Sequence, residues 1–202
     1  MDRRRGIISA QGGAPAPGPR LPAEYQEVEW VGSTKTSANS LPTGITPTSA
    51  PRIVTTYQLR AGGWRNLIDV GSSPRRTRWV ESNDYAYYNW GSDQKQYAPS
   101  PATYTWHTLD AGRVLIVDGT TIHTSTKNDD WSSNQTELVL FYGSNTKAGR
   151  IKETEIYGGT TQLGLLVPCY KKSNSYVGWY DLMNDVFHSF SDQTKVEKGA
   201  DV

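Results

Sequence analysis

The sequence predicts an all-β fold, a two-sheet antiparallel sandwich preceded by an extended N-terminal arm. Three observations lead there. Short runs with apolar residues at alternate positions recur along the chain, each bounded by Gly, Pro, Asn or Asp. No amphipathic run of helical length separates any two of them, which argues against a parallel α/β sheet. The composition is rich in Thr and Ser, with 19 Gly, 12 Tyr and 7 Trp, and so favours short strands and tight turns. Hydrophobic residues make up only 36% of the chain, so the aromatic rings must supply much of the buried area. At 202 residues the chain is long enough for one ordinary domain.

Residues 1–20 stand apart. Arg3, Arg4, Arg5 and Arg20 flank a Gly/Ala/Pro stretch over 12–19 that has little to bury and behaves as an extended linker. It is either a disordered tail or an arm that docks into a partner and orders there. From Leu21 onward the signals are β throughout. Residues 25–31 alternate, as do 52–59, where Ile53, Thr55, Tyr57 and Leu59 share one face. Gly62-Gly63 separates that run from 64–70, and 77–81 and 85–90 follow. Runs 113–117 and 121–124 flank Asp118-Gly119, a pair suited to a type I′ turn because both positions need positive φ. The continuous apolar run 137–142 predicts a strand buried on both faces. Runs 151–157, 163–170, 177–182 and 186–190 complete the set, with Asn184-Asp185 as the last tight turn. Pro168 predicts an edge or a bulge, since it cannot donate to a ladder. The spacing of these runs is that of a sandwich.

Several function classes are disfavoured at this level. The net charge of +1 offers no global field for nucleic acid or an anionic membrane, so neither is expected as a partner. Cys169 is the single cysteine, which rules out an intrachain disulfide and a thiolate zinc site; in its apolar run it reads as inert core. The basic start is followed by too short an apolar run for a secretory signal, and no stretch is long enough to cross a bilayer, so a soluble protein made for the cytoplasm, or released from it by lysis, is expected. His107, His123 and His188 lack metal-ligand spacing, no serine elbow or phosphate-cradling loop is present, and Asp129-Asp130 and Asn83-Asp84 specify no calcium ligand set. No cofactor and no metal are therefore called for.

The second half carries an ordered series of motifs. Trp106-His107-Thr108, Val117-Asp118-Gly119, Gly149-Arg150-Ile151, Glu155-Ile156-Tyr157, Leu166-Val167-Pro168-Cys169 and Val177-Gly178-Trp179-Tyr180-Asp181 run in sequence to Phe187 and Lys198-Gly199. Near the start, residues 21–30 precede Pro42-Thr43-Gly44-Ile45. Over residues 21–200 this series resembles the concanavalin A-like (laminin-G-like) jelly-roll domains of bacteriophage virion proteins, found in tail fibres, head fibres and surface decorations. The short Arg-rich start also resembles small phage proteins of this kind. One departure is that relatives usually read Gly-Thr-Gln-Tyr-Ile-Asp-Thr-Gly-Ile where this chain has residues 35–45, so the early strand is expected to be altered.

Jelly rolls of this type include glucanases, whose retaining members place Glu-x-Asp-x-x-Glu on one strand; this chain has no such string. Its nearest match, Glu153-Thr154-Glu155, would put two carboxylates on one face. Arg150 and Lys152 surround them, and a solvated charged face accounts for them, so no enzyme and no catalytic residue is expected. The best binding candidate is the aromatic segment that includes Trp79, Tyr85, Tyr87, Tyr88, Trp90 and Tyr97, beside Arg78 and Asn89. Tyr85, Tyr87 and Asn89 would fall on one strand face, with Tyr88 and Trp90 on the other. Sugar rings stack their apolar faces on such aromatics and need planar polar partners for their hydroxyls; a protein interface uses the same residue types, and core packing explains any single ring as well.

The resemblance and the residues together imply a non-catalytic jelly-roll module on the virion surface. Residues 1–20 (with Arg3, Arg4, Arg5 and Arg20) form the anchor to other virion proteins, and residues 21–202 the displayed domain. Host-surface or mucosal glycan is the expected ligand, and a homo-oligomer such as a trimer the expected assembly. A purely structural virion subunit, and a bacterial glycan-binding or glycan-cleaving protein, are the alternatives.

Overall fold

A computed structural model of the chain describes residues 20–34, 40–60, 65–72, 75–81, 86–98, 101–141 and 149–202. Arg3, Arg4, Arg5 and Tyr85, the Gly62-Gly63 turn and Asn83-Asp84 lie outside those residues. With strands numbered in chain order, the larger sheet runs β11 (Thr120–Thr124), β10 (Val114–Val117), β9 (Trp106–Ala111), β4 (Pro51–Leu59), β13 (Gly149–Gly158), β14 (Thr161–Lys171), β15 (Tyr176–Asp181) and β16 (Val186–Ser189). To it are added β1 (Tyr25–Glu27) on β14, β2 (Val31–Ser33) on β13, and β17 (Val196–Lys198) on β2. The smaller, six-stranded sheet runs β3 (Leu41–Pro42), β12 (Val139–Leu140), β5 (Arg65–Ser72), β6 (Arg75–Glu81), β7 (Ala86–Trp90) and β8 (Asp93–Tyr97). The pairings in both sheets are antiparallel. One short 3-10 turn, Gln193–Lys195, interrupts an otherwise all-β chain, and no α-helix occurs among the described residues. This is the expected two-sheet jelly-roll sandwich.

Alternation builds the core. In β4 the side chains of Ile53, Thr55, Tyr57 and Leu59 are buried while Arg52 is exposed, as a period of two requires. From the smaller sheet come Ile68, Val70, Trp79, Ala86, Tyr88 and Trp90. Where the sheets meet, Phe141, Trp179 and Phe190 form a triangle of tilted rings with centroids 5.7–6.1 Å apart, a spacing at which aromatic pairs add to their area burial. The β10–β11 turn forms as its residues dictate: Asp118 and Gly119 take φ of 49° and 75°.

The large sheet also buries part of its outer face. Val167, Cys169 and Tyr180 point away from the main core and are covered by Leu21 and Tyr25, whose ring lies 4.8 Å from Tyr180 and 5.0 Å from Phe187. Burial pushes the Cys169 thiol up to about 12, so it carries no thiolate chemistry at neutral pH.

One long edge of the sandwich is closed. Asp93 of β8 meets His123 of β11 at 3.0 Å, Trp131 lies against Trp90 at 5.7 Å, and Gly91 turns at φ 56° where a Cβ would strike the Asp129 carboxylate. The Ser125 hydroxyl and His123 hold the Asp93 carboxyl below its usual range. At the other edge, β16 and the segment after β3 leave a cleft.

Four strand expectations change. The run 25–31 is two strands, because Val28 to Trp30 pass from β14 to β13. Of the run 137–142, the described residues 137–141 form a strand only over Val139–Leu140, which ends where Phe141 takes a left-handed φ of 54°. Strand β8 was not expected, because its outward residues are Gln and its sequence shows no apolar alternation. Pro168 sits in the interior of the sheet rather than at an edge or bulge: its carbonyl accepts Val28 N–H at 3.0 Å where β1 ends, so no donor is required of it there.

Candidate functional site

The six-stranded sheet sorts the aromatic segment by parity. Ala86, Tyr88 and Trp90 of β7 point inward, and Trp79 of β6 joins them; all are within 3% of full burial. Trp79, Tyr88 and Trp90 are therefore corrected from ligand contacts to core, for the plain reason that their positions face the opposite sheet. The Tyr88 hydroxyl donates to the Gly112 carbonyl, which ties the sheets together, and burial drives its pKa upward. Tyr97 of β8 also faces this side and packs partly buried against the core.

Tyr87 and Asn89 alternate to the outer face, where both are half-buried. The register supplies their neighbours. Tyr87 stands opposite Gln96, and Asn89 opposite Gln94, both on the exposed side of β8. On the other flank Asn89 is paired in register with Arg78, which in turn is paired with Asp69. Directly opposite residues on antiparallel strands hold their Cβ atoms about 4.5–5.5 Å apart. One aromatic ring is thus set beside three planar amides, each able to donate and accept. Gln94 and Gln96 were missed in the sequence because nothing apolar marks β8 as a strand; only the short Gly91-Ser92 turn after Trp90 hints at a hairpin.

The outer face of the large sheet holds more rings, and the chain's own cations lie over them. Arg150 sits 3.9 Å over Trp30, Lys152 4.7 Å over Trp106, and Arg52 5.2 Å over Tyr157. Arg150 is further fixed by Glu197 and Gln58, and Arg52 by a two-toothed pair with Asp110 at 2.7 Å. The acidic pair belongs to this network. A register shift between Ile151 and Thr154 leaves both Glu153 and Glu155 on the solvent side. Glu153 accepts from Arg20, and Glu155 accepts the Tyr157 hydroxyl. Each carboxylate is thus engaged by a neighbour on the chain's own surface, Glu153 by Arg20 and Glu155 by Tyr157.

Arg20 also pairs with Glu27, and these two carboxylates raise its pKa. It therefore serves as a strap onto the domain's own surface, whereas the expectation placed it in the arm's contact with a partner. The histidines are dispersed. His107 is held between Asp118 at 2.6 Å and the Ala102 carbonyl at 2.9 Å, and His123 binds Asp93. Burial would raise the Asp118 carboxyl, but the bonds from His107 and Thr108 outweigh it and hold it below its usual range. Among the described residues no group of three or more His, Cys, Asp or Glu is placed to hold a metal ion, and Asp129 and Asp130 accept from Ser92 and Ser132.

At the open edge the inward residues Asp181, Val186 and His188 of the large sheet face Thr43 to Thr46, enclosing a cleft of about 410 Å³. Asp181 is fully buried; its Oδ1 accepts the N–H groups of Met183 at 2.9 Å and Leu165 at 3.2 Å.

No protein-family model matches the sequence, and no curated protein matches it. Among solved structures, a galectin of Caenorhabditis elegans aligns with 64% of this chain and 96% of its own, with a TM-score of 0.38 and 10% identity. No helix among the described residues is long and apolar enough to cross a membrane.

Proposed function

We propose that this chain is a non-catalytic bacteriophage virion module that binds host-surface or mucosal glycan through the outer face of its six-stranded sheet. The observation that carries the binding reading is the pairing of Tyr87 with Gln96 beside Asn89 and Gln94 on a solvent-facing, antiparallel surface. A sugar's apolar face stacks on the ring, and its hydroxyls exchange hydrogen bonds with the amides. The virion reading rests on the ordered motif series over residues 21–200 and on the Arg-rich start. Such contacts are individually weak; repetition on a symmetric homo-oligomer raises avidity by about 10² to 10⁴.

A glycan-array screen of the full chain tests the binding reading. Specific retention on a restricted set of glycans is expected, with no release of reducing ends on prolonged incubation with the bound polysaccharide. A folded protein that retains none would overturn it and favour a purely structural subunit; cleavage would overturn the non-catalytic assignment.

The arm is the proposed anchor to other virion proteins. Removing residues 1–19 while keeping Arg20 should leave the thermal midpoint within about 2 °C, because Leu21 is the first core residue among the described residues. The same truncation should abolish incorporation into particles, measured by protein content of purified virions; normal incorporation would contradict the anchor.

A further inference from the structure

The cleft between β16 and the residues after β3 is built from both sheets and lies on neither outer face. Its apolar walls are Ile45, Leu163 and Val186, the last 44% exposed. Its polar groups are concentrated on one side. His188 presents an Nε2 that is buried and has no hydrogen-bond partner. A buried ring nitrogen left unsatisfied is unfavourable, so its persistence points to a partner that arrives from outside. Beside it, Asn184 donates through Nδ2 to Asp181 Oδ2 at 2.6 Å and to the Leu163 carbonyl at 2.9 Å. Those two bonds fix the amide's orientation and turn its carbonyl oxygen away from them.

Two glycines keep the space open. A Cβ on Gly44, which turns at φ 69°, would stand 3.6 Å from His188 Cε1 and fill the mouth of the cleft. A Cβ on Gly164 would lie 2.3 Å from Ile45 Cδ1 and 3.1 Å from Asp181 Oδ2, pushing both into the floor. Burial lowers the His188 pKa against the pull of Asp181 and Glu137, so the ring is neutral at pH 7. Glu137 lies close by, accepting Gly44 N–H at 2.9 Å.

From this geometry we infer that the cleft is a second binding site, which takes a single neutral, hydroxyl-rich sugar unit. The inference rests on reading the module as a glycan binder and adds a site to it. The exposed Asn184 Oδ1 accepts from a ligand hydroxyl, with the amide held in place by the fully buried Asp181, and the His188 imidazole exchanges one further bond. The sugar's apolar face lies on Ile45, Leu163 and Val186. The carboxylates of Asp181 and Glu137 repel acidic sugars, so neutral hexosides are selected over uronic and sialic acids. A volume of about 410 Å³ lies toward the small end of ligand pockets and suits a terminal residue rather than a run of chain.

The test is ligand-observed NMR with a panel of neutral and acidic methyl glycosides, together with the glycan array. The probes are presented to the full chain, to His188→Phe, which keeps the ring volume and removes both nitrogens, and to Val186→Lys, which fills the mouth from an exposed position. Binding of a neutral glycoside is expected, with a shift of the His188 ring ¹⁵N signals. Each cleft variant should lose at least tenfold in affinity, while Val114→Lys, an exposed position on β10 at the other end of the large sheet, retains it. Equal binding by the wild type and both cleft variants overturns the second site and leaves the glycan-binding reading standing. No binding on either the panel or the array overturns both.

Discussion

Replacing Trp79 by alanine is expected to cost about 3–5 kcal/mol of stability, since a fully buried indole between two sheets leaves a cavity that strands cannot close. The ring lies 6.5 Å from Tyr88 and belongs to the main core cluster. Such a loss is a large part of the net stability of a domain this size. Chemical denaturation read by tryptophan fluorescence checks it, with the slope of the transition unchanged if the folded state survives. Any loss of glycan binding in this variant would report unfolding. Tyr87→Ala, one residue from the buried Tyr88 but on the other face, should stay within about 1 kcal/mol of wild type. A large loss at Tyr87, or none at Trp79, would mean that β6 and β7 present the opposite faces.

Gly178→Ala is the second large effect, and its cause is backbone rather than cavity. A Cβ at Gly178 would lie 2.0 Å from the His188 carbonyl oxygen and 3.0 Å from Ser189 Cα. Residue 178 is paired in register with Ser189, so the clash falls on the ladder between β15 and the edge strand β16. No side-chain rotation relieves it, and the strands must part. Overpacking of this kind costs about 1–3 kcal/mol, more where backbone has to move. Hydrogen exchange should quicken first in Val186–Ser189, before the central strands β4 and β13. Unchanged protection of β16 would show that the two strands approach less closely than this.

How much of this was legible in the sequence depended on whether a residue's partner was local. Ile53, Thr55, Tyr57 and Leu59 announced β4 because alternation is a property of the strand itself. Asp118-Gly119 announced its turn because positive φ is a local demand. Alternation also placed Tyr87 and Asn89 opposite in face to Tyr88 and Trp90, although the sequence could not say which face was inside. The answer lay in the packing of β7 against a sheet assembled from distant segments. Strand β8 was invisible because an edge strand with Gln outward needs no apolar pattern. The outward placement of Cys169 was hidden for a related reason: its cover is Leu21 and Tyr25, nearly 150 residues earlier in the chain. The cleft is the extreme case, joining Gly44, Leu163, Asp181 and His188, which no motif connects.

On the proposed function, outward-facing polar and aromatic residues of the six-stranded sheet bind glycan while the inward rings only hold the fold. Calorimetric titration of a glycan retained on the array, into wild type and a Tyr87→Ala/Asn89→Ala double variant of matched thermal stability, tests it most directly. At least a tenfold weaker affinity is expected in the double variant, with an unchanged unfolding midpoint. Wild-type affinity in that folded variant would contradict it and move the glycan site off this face of the sheet.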